Sequence, residues 1–144
     1  MKRLLRLNGP NMNRLGKREK EFCGSFTLED IEQDLKALLK QHQIELESFQ
    51  SNHEGELIDR LHDADGKYFG IIFNPAAYTH TSIALHDAIK TITTPVIEVH
   101  ISNVHARESF RPQSLTAPAC IGQIVGLGKM GYELAALAFI NKEQ

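Results

Sequence analysis

Four stretches of this 144-residue chain gather asparagine, histidine and serine: Asn8-Gly9-Pro10-Asn11, Ser51-Asn52-His53-Glu54, Asn74-Pro75 with Tyr78, Thr79 and His80, and His100-Ile101-Ser102-Asn103. Asn, Ser and Gly are common loop and cap residues, which accounts for each stretch singly. Their recurrence where Lys, Glu or Asp would be expected points to one shared polar site. His100 is the natural acid of the group, because imidazole titrates near neutral pH. Glu98 lies two residues earlier, on the same face if the stretch is a strand, and could orient or charge the ring. A strand-end histidine bonded to a loop is the plain alternative. Arg18 and Arg111 fall in polar stretches, where a guanidinium fork suits an organic carboxylate. Two solvated surface arginines would look the same. The chemistry these residues suit is acid–base work on an anionic organic substrate.

The elements that must position them alternate along the chain. Leu4–Leu7 is a short apolar run stopped by Asn8-Gly9-Pro10, as in a buried strand. Thr27 to about Lys40 is expected as a helix, with Leu28, Ile31, Leu35, Leu38 and Leu39 on one face and Thr27 and Asp30 spaced as a capping box. Ile44–Phe49 alternates like an edge strand. Ser51 and Glu54 open a second helix that turns Leu57, Ile58 and Leu61 inward. Phe69–Phe73 is a continuous apolar run suited to a strand covered on both faces. A third helix is expected from about Ser82 to Ile92, with Ile83, Ala84, Ala88 and Ile92 inward. Strands follow at Val96–Val99 and Cys120–Leu127, and a closing helix at Lys129–Ile140. Five strands interleaved with helices imply a parallel sheet covered on both sides in one α/β domain spanning 1–144. The usual order at this size is the flavodoxin-like 2-1-3-4-5, a three-layer sandwich whose ligands sit at the carboxyl ends of the strands.

Several functions are excluded or disfavoured. No GxGxxG follows the first strand and no GxxxxGK[ST] occurs, which argues against dinucleotide and P-loop chemistry. A phospho-acceptor would need an acidic pair where Asn8 and Asn11 stand, and a flavin phosphate would need a Ser/Thr-rich loop where Gly9-Pro10 stands. An electron carrier of this fold would purify yellow; a colourless protein is expected. Seven histidines raise the question of a metal, but no spacing resembles HExxH or a Cys/His cluster, so none is expected. The net charge of −2 gives no reason to expect a nucleic-acid or membrane-surface partner. Cys23 and Cys120 lie far apart and suit two free thiols in a cytoplasmic protein. The N-terminal apolar stretch is short and broken by Arg6, unlike a signal peptide.

The segments NGPNMNRLGKRE, FQSNHEGELID, NPAAYTHTS, IEVHISNVHARESFR and IVGLGKMGYELA, in this order and spacing over nearly the whole chain, resemble type II 3-dehydroquinate dehydratase. The resemblance implies a cofactor-free lyase of the shikimate pathway (the route to chorismate and the aromatic amino acids), built as a dodecamer of trimers. It implies anti elimination of water from 3-dehydroquinate to give 3-dehydroshikimate through an enol or enolate. On that resemblance His100 protonates the leaving C1 hydroxyl. Arg18, on a mobile lid loop around 16–26, lowers the pKa of the base and stabilises developing negative charge. Asn11 holds a water over the enolate oxygen. Asn74, His80, Arg111 and Ser102, with the Ile101 and Ser102 backbone amides, form the substrate-binding set. Asp87 reaches a neighbouring subunit's site across the trimer interface.

Three departures from the family's pattern stand out. Its lid usually reads R-E-P-E-x-Y-G, with the tyrosine as general base; here Arg18-Glu19-Lys20-Glu21-Phe22-Cys23-Gly24 puts Cys23 at that position. Ala76 stands where glycine is usual. Pro112-Gln113 replaces a pair that is often His-His. The first departure defines the competing reading, a non-catalytic or impaired relative that binds quinate-like acids.

Overall fold

The computed structural model describes residues 2–16, 26–103, 109 and 113–142. Five parallel strands form one sheet in the order β2-β1-β3-β4-β5: β1 (Lys2–Asn8), β2 (Ile44–Gln50), β3 (Gly70–Asn74), β4 (Val96–His100) and β5 (Gly122–Val125). Four helices, α1 (Leu28–Lys40), α2 (Glu54–Ala64), α3 (Ile83–Thr91) and α4 (Met130–Lys142), cover it. The expected α/β architecture and strand order are both present.

Two apolar layers lie on opposite sides of the sheet. Leu4, Ile72, Ile97 and Val99 point toward α1 and α4, where they meet Ile31, Leu35, Tyr132 and Phe139. Leu5, Leu7, Ile71, Phe73 and Val96 point the other way, against Leu57 and Leu61 of α2 and Leu85 and Ala88 of α3. Because side chains alternate across a strand, Glu98 and His100 share the α2/α3 side with Val96. β3 and β4 are buried along their whole length; β3 accordingly reads as an apolar run, while β4 buries Glu98 and His100 among its apolar residues.

The capping box of α1 forms as its spacing requires: Thr27 accepts from Asp30 N while Asp30 accepts from Thr27 N. The start of α2 differs. Its N-cap is His53, while Ser51 Oγ accepts from His53 N and donates to Glu56 rather than capping toward Glu54. In α3 the inward residues are Leu85, Ala88 and Ile89; Ile83 is 66% exposed and Ala84 is also exposed. Ala88 fits either of two helical stripes, and the larger Leu85 and Ile89 decide for the other one. β5 is shorter than the expected Cys120–Leu127. A 3-10 turn over Ala117–Ala119 holds the Cys120 amide, and Gly126 at φ 85° ends the strand.

The switch point lies between β1 and β3. There Asn8 pairs with Gln50 on one side and Asn74 on the other. Gly9 is required next to it: a Cβ at Gly9 would lie 2.5 Å from Pro75 O, well inside van der Waals contact.

Candidate active site

β4 carries the two residues with the clearest chemistry. The side chains of Glu98 and His100 rise from one face of the strand, and His100 Nε2 lies 2.8 Å from Glu98 Oε2. Glu98 has no solvent exposure and His100 is 6% exposed. A buried carboxylate without partners would be neutral, but this one is surrounded by donors. Gln123 Nε2 donates to it at 2.8 Å, Thr79 Oγ1 at 3.0 Å and Ser114 Oγ at 3.1 Å. Thr116 Oγ1 donates to the other oxygen. Burial pushes the Glu98 carboxyl up, but His100, Thr116 and Gln123 outweigh it and hold the group below the ordinary carboxylate value of 4.5. Glu98 is therefore the ionised partner of His100. It accepts the Nε2 proton, which leaves Nδ1 as the nitrogen that can act on a ligand.

The turn after β3 delivers the next groups. Thr79 is buried against Glu98, and its carbonyl takes Leu115 N at 2.6 Å. His80 Nδ1 donates to Gln113 O at 2.7 Å. His86 of α3 makes the same kind of bond to Leu115 O, also at 2.7 Å. The segment 113–116 is thus pinned from three directions.

Asn74 is held from below. Ala76 N donates to its Oδ1 at 2.9 Å; its Nδ2 donates to Tyr132 Oη at 3.0 Å and contacts Met12 Sδ at 3.7 Å. The amide nitrogen is therefore spent inside the protein, and the remaining capacity is a lone pair on Oδ1. Tyr132 Oη in turn donates to Asn8 Oδ1 at 2.7 Å. Ala76 N can only donate, so it fixes the direction of the whole chain of bonds and leaves Asn8 Nδ2 as a buried donor without a partner among the described residues. Burial of Tyr132 pushes its phenol up to about 12, so it stays a neutral bridge.

Asn11 stands on the first turn after β1 with its side chain exposed. Its backbone is left-handed, φ 67°, a conformation asparagine tolerates. Asn52 Oδ1 accepts its N–H at 2.9 Å, and Tyr78 Oη donates to Asn52 O at 3.0 Å, so the ends of β1, β2 and β3 are tied together. Ala76 also has positive φ, 53°, where an L side chain is strained. Ile101 and Ser102 are both buried just beyond β4. Asp87 is exposed on α3, on the outer face with Ile83 and Ala84. Arg18, Cys23 and Arg111, and most of the 16–26 loop, lie outside the described residues. No group of three His, Cys, Asp or Glu arranged for a metal occurs among the described residues.

The structure thus brings His100, Glu98, His80 and Asn74 to the carboxyl end of the sheet beside Asn11, and leaves Asp87 facing outward. Sequence reasoning missed Ser114, Thr116, Gln123 and Tyr132. Nothing local marks them; each is selected by a long-range approach, Gln123 by standing opposite Glu98 in the β4–β5 register.

Comparison with known proteins identifies the family. The family model for dehydroquinase class II matches residues 2–140. A 3-dehydroquinate dehydratase of Bacillus cytotoxicus is 58% identical over 99% of this chain and 97% of its own. The crystal structure of type II dehydroquinase from Butyrivibrio crossotus superposes with a TM-score of 0.93 at 45% identity, over 96% of this chain and 97% of that one. That from Propionibacterium acnes gives 0.92 at 38% identity, over 97% of each chain. With a family match across almost the whole length, and relatives this similar over their full length, the chain belongs to the dehydroquinase class II family.

Proposed function

We propose that this protein is a hydro-lyase that removes water from 3-dehydroquinate to give 3-dehydroshikimate in the shikimate pathway. The observation that carries the reading is the buried Glu98–His100 pair at the carboxyl end of the sheet, in a chain of this family. The C3 ketone of the substrate acidifies C2. A base takes the C2 proton, the electron pair moves into an enolate, and the C1 hydroxyl leaves as water when His100 protonates it. With Nε2 committed to Glu98, the imidazolium gives up its Nδ1 proton and relaxes to the neutral tautomer that Glu98 already holds. Acid and base work from opposite faces in an anti elimination, and no cofactor is needed.

The remaining roles follow from the resemblance. Cys23 takes the position of the family's base in the sequence, with Arg18 on the same lid stretch; a thiol has a lower reference pKa than a phenol. Asn11 holds a water over the enolate oxygen. Asn74, His80, Ile101, Ser102 and Arg111 bind the substrate, with the guanidinium on its carboxylate. Asp87 completes a neighbour's site in a cytoplasmic dodecamer of trimers; its place beside exposed Ile83 on the outer face of α3 supports this, since an exposed apolar residue next to a carboxylate suits a subunit contact. The direct test is to mix the purified protein with 3-dehydroquinate and follow the ultraviolet absorbance of the conjugated product. A steady rise is expected; a flat trace with substrate still binding would favour the non-catalytic reading. Light scattering tests the assembly: a fully active monomer would refute the role of Asp87.

A further inference from the structure

Glu98 and Gln123 stand directly opposite each other on β4 and β5, so their side chains rise from the same face of the sheet. Gln123 Nε2 reaches Glu98 Oε2 at 2.8 Å, the same oxygen and the same distance as His100 Nε2. We infer that Gln123 is a positioning residue of this site: acting through Glu98, it fixes the carboxylate against His100 and so fixes which ring nitrogen faces the substrate with a transferable proton. The kinetic part of this inference rests on the dehydratase reading; the structural part does not.

The other donors to Glu98 cannot do this alone. Thr79, Ser114 and Thr116 are in mutual contact, with oxygens 2.6 Å apart for Thr79 and Ser114, 2.7 Å for Thr79 and Thr116 and 3.4 Å for Ser114 and Thr116. Each hydroxyl has one proton and can give it to Glu98 or to a neighbouring hydroxyl. Their allegiance to the carboxylate is divided. Amide and ring N–H groups cannot turn away in the same manner. On Oε2 the committed donors are therefore Gln123 from β5 and His100 from β4 itself. With Gln123 removed, the divided hydroxyls of Thr79 and Ser114 are the other described donors left on Oε2, the carboxylate is free to turn off the ring, and the His100 Nε2 proton loses its fixed acceptor. The ring then samples the tautomer with its proton on Nδ1 and a bare Nε2, which is not the state Glu98 stabilises as the imidazolium discharges. Gln123 is otherwise exposed on the edge strand, so its replacement leaves the core intact.

The test uses Gln123→Met, which keeps the length and removes the donor, and Gln123→Glu, which keeps the shape and brings a second carboxyl against Glu98. Two quantities are read: kcat and KM on 3-dehydroquinate, and the ring nitrogen-15 shifts of His100 in the ligand-free protein at a pH high enough that the ring is neutral, assigned by their loss in His100→Ala. For Gln123→Met, kcat is expected to fall about tenfold with KM within about twofold, the scale of one charge-assisted hydrogen bond. The ring shifts are expected to move from a single Nε2–H tautomer to a mixture. Gln123→Glu should lose at least as much. The inference is overturned if the Gln123→Met ring keeps a single tautomer at unchanged kcat, if the whole loss sits in KM, or if Gln123→Glu restores the wild-type rate. Should the wild type fail to turn over 3-dehydroquinate, the dehydratase reading falls, while the ring spectrum, which needs no substrate, still decides the part played by Gln123.

Discussion

Replacing Glu98 by glutamine removes one charge and almost nothing else. The glutamine oxygen can take the place of Oε2 and keep its bonds from His100 and Gln123, and the new NH2 falls where Thr116 Oγ1, able to turn its proton, becomes the acceptor. Geometry is retained and the ion pair is lost. Unit charges 2.8 Å apart attract by about 6 kcal/mol at an effective dielectric of about 20. Desolvation of the buried ions offsets much of this. If about half survives as support for the imidazolium, the loss is about 3 kcal/mol, or about a hundredfold in rate. Since Glu98 has no exposed surface, it cannot touch the substrate, and the whole effect belongs in kcat. Initial rates from product absorbance, fitted for kcat and KM, check this. A loss of less than about threefold, or one carried by KM, would refute the assignment of Glu98 as the charge behind His100. The variant also has a signature in stability. The folded Glu98 carboxyl lies below its ordinary value of 4.5, so its ionisation stabilises the fold above that value, and this contribution is lost as pH falls through the depressed folded value. The difference in Tm between wild type and Glu98→Gln should therefore shift in favour of the variant as pH drops below 4.5. A pH-independent difference would contradict it.

Three further outcomes follow from other parts of the molecule. Tyr132→Phe leaves Asn8 Oδ1 without its donor and Asn74 Nδ2 without its acceptor in a fully buried place; it should cost about 1–3 kcal/mol, read as a lower urea midpoint, and an unchanged midpoint would contradict the bridge. Ala76→Gly relieves a left-handed alanine worth about 1–2 kcal/mol, offset by about 0.5–1 kcal/mol of added chain entropy; a net gain of about 0.5 kcal/mol is expected from the same titration, and a loss would show that the turn prefers the methyl group. Cys23→Tyr should raise kcat above wild type by restoring the family's base, while Cys23→Ser should lower it and alter the pH–rate profile; if neither variant moves either quantity, Cys23 is not at the base position.

Much of this was legible in the chain. The period-two spacing of Glu98 and His100 was enough to place them on one face, and the three-residue spacing of Thr27 and Asp30 was enough to mark the start of α1. The apolar run at 69–73 announced a strand buried on both sides, and the alternation of such strands with helices implied the parallel sheet. The inward face of α3 was not legible, because Ala88 belongs to two possible stripes and only packing against Phe73 and Leu57 selects Leu85 and Ile89. The ends of β5 depend on a turn at Ala117–Ala119 that has no apolar signature. The donors around Glu98 come from positions up to 25 residues away, where register and loop path, not local pattern, decide who meets whom. The buried phenol of Tyr132 lies 124 residues from its partner Asn8 inside a helix that otherwise reads as plain core.

The central claim is that His100, backed by the Glu98 carboxylate, is the acid of a 3-dehydroquinate dehydration. The most direct measurement is the steady-state turnover of 3-dehydroquinate by wild type and by His100→Ala, with kcat and KM resolved separately. The account predicts a measurable wild-type rate and a fall of about a hundred- to ten-thousandfold in kcat for the variant, with KM changed by only a few fold. A His100→Ala protein that turns over at the wild-type rate, or one whose defect lies only in KM, would contradict it.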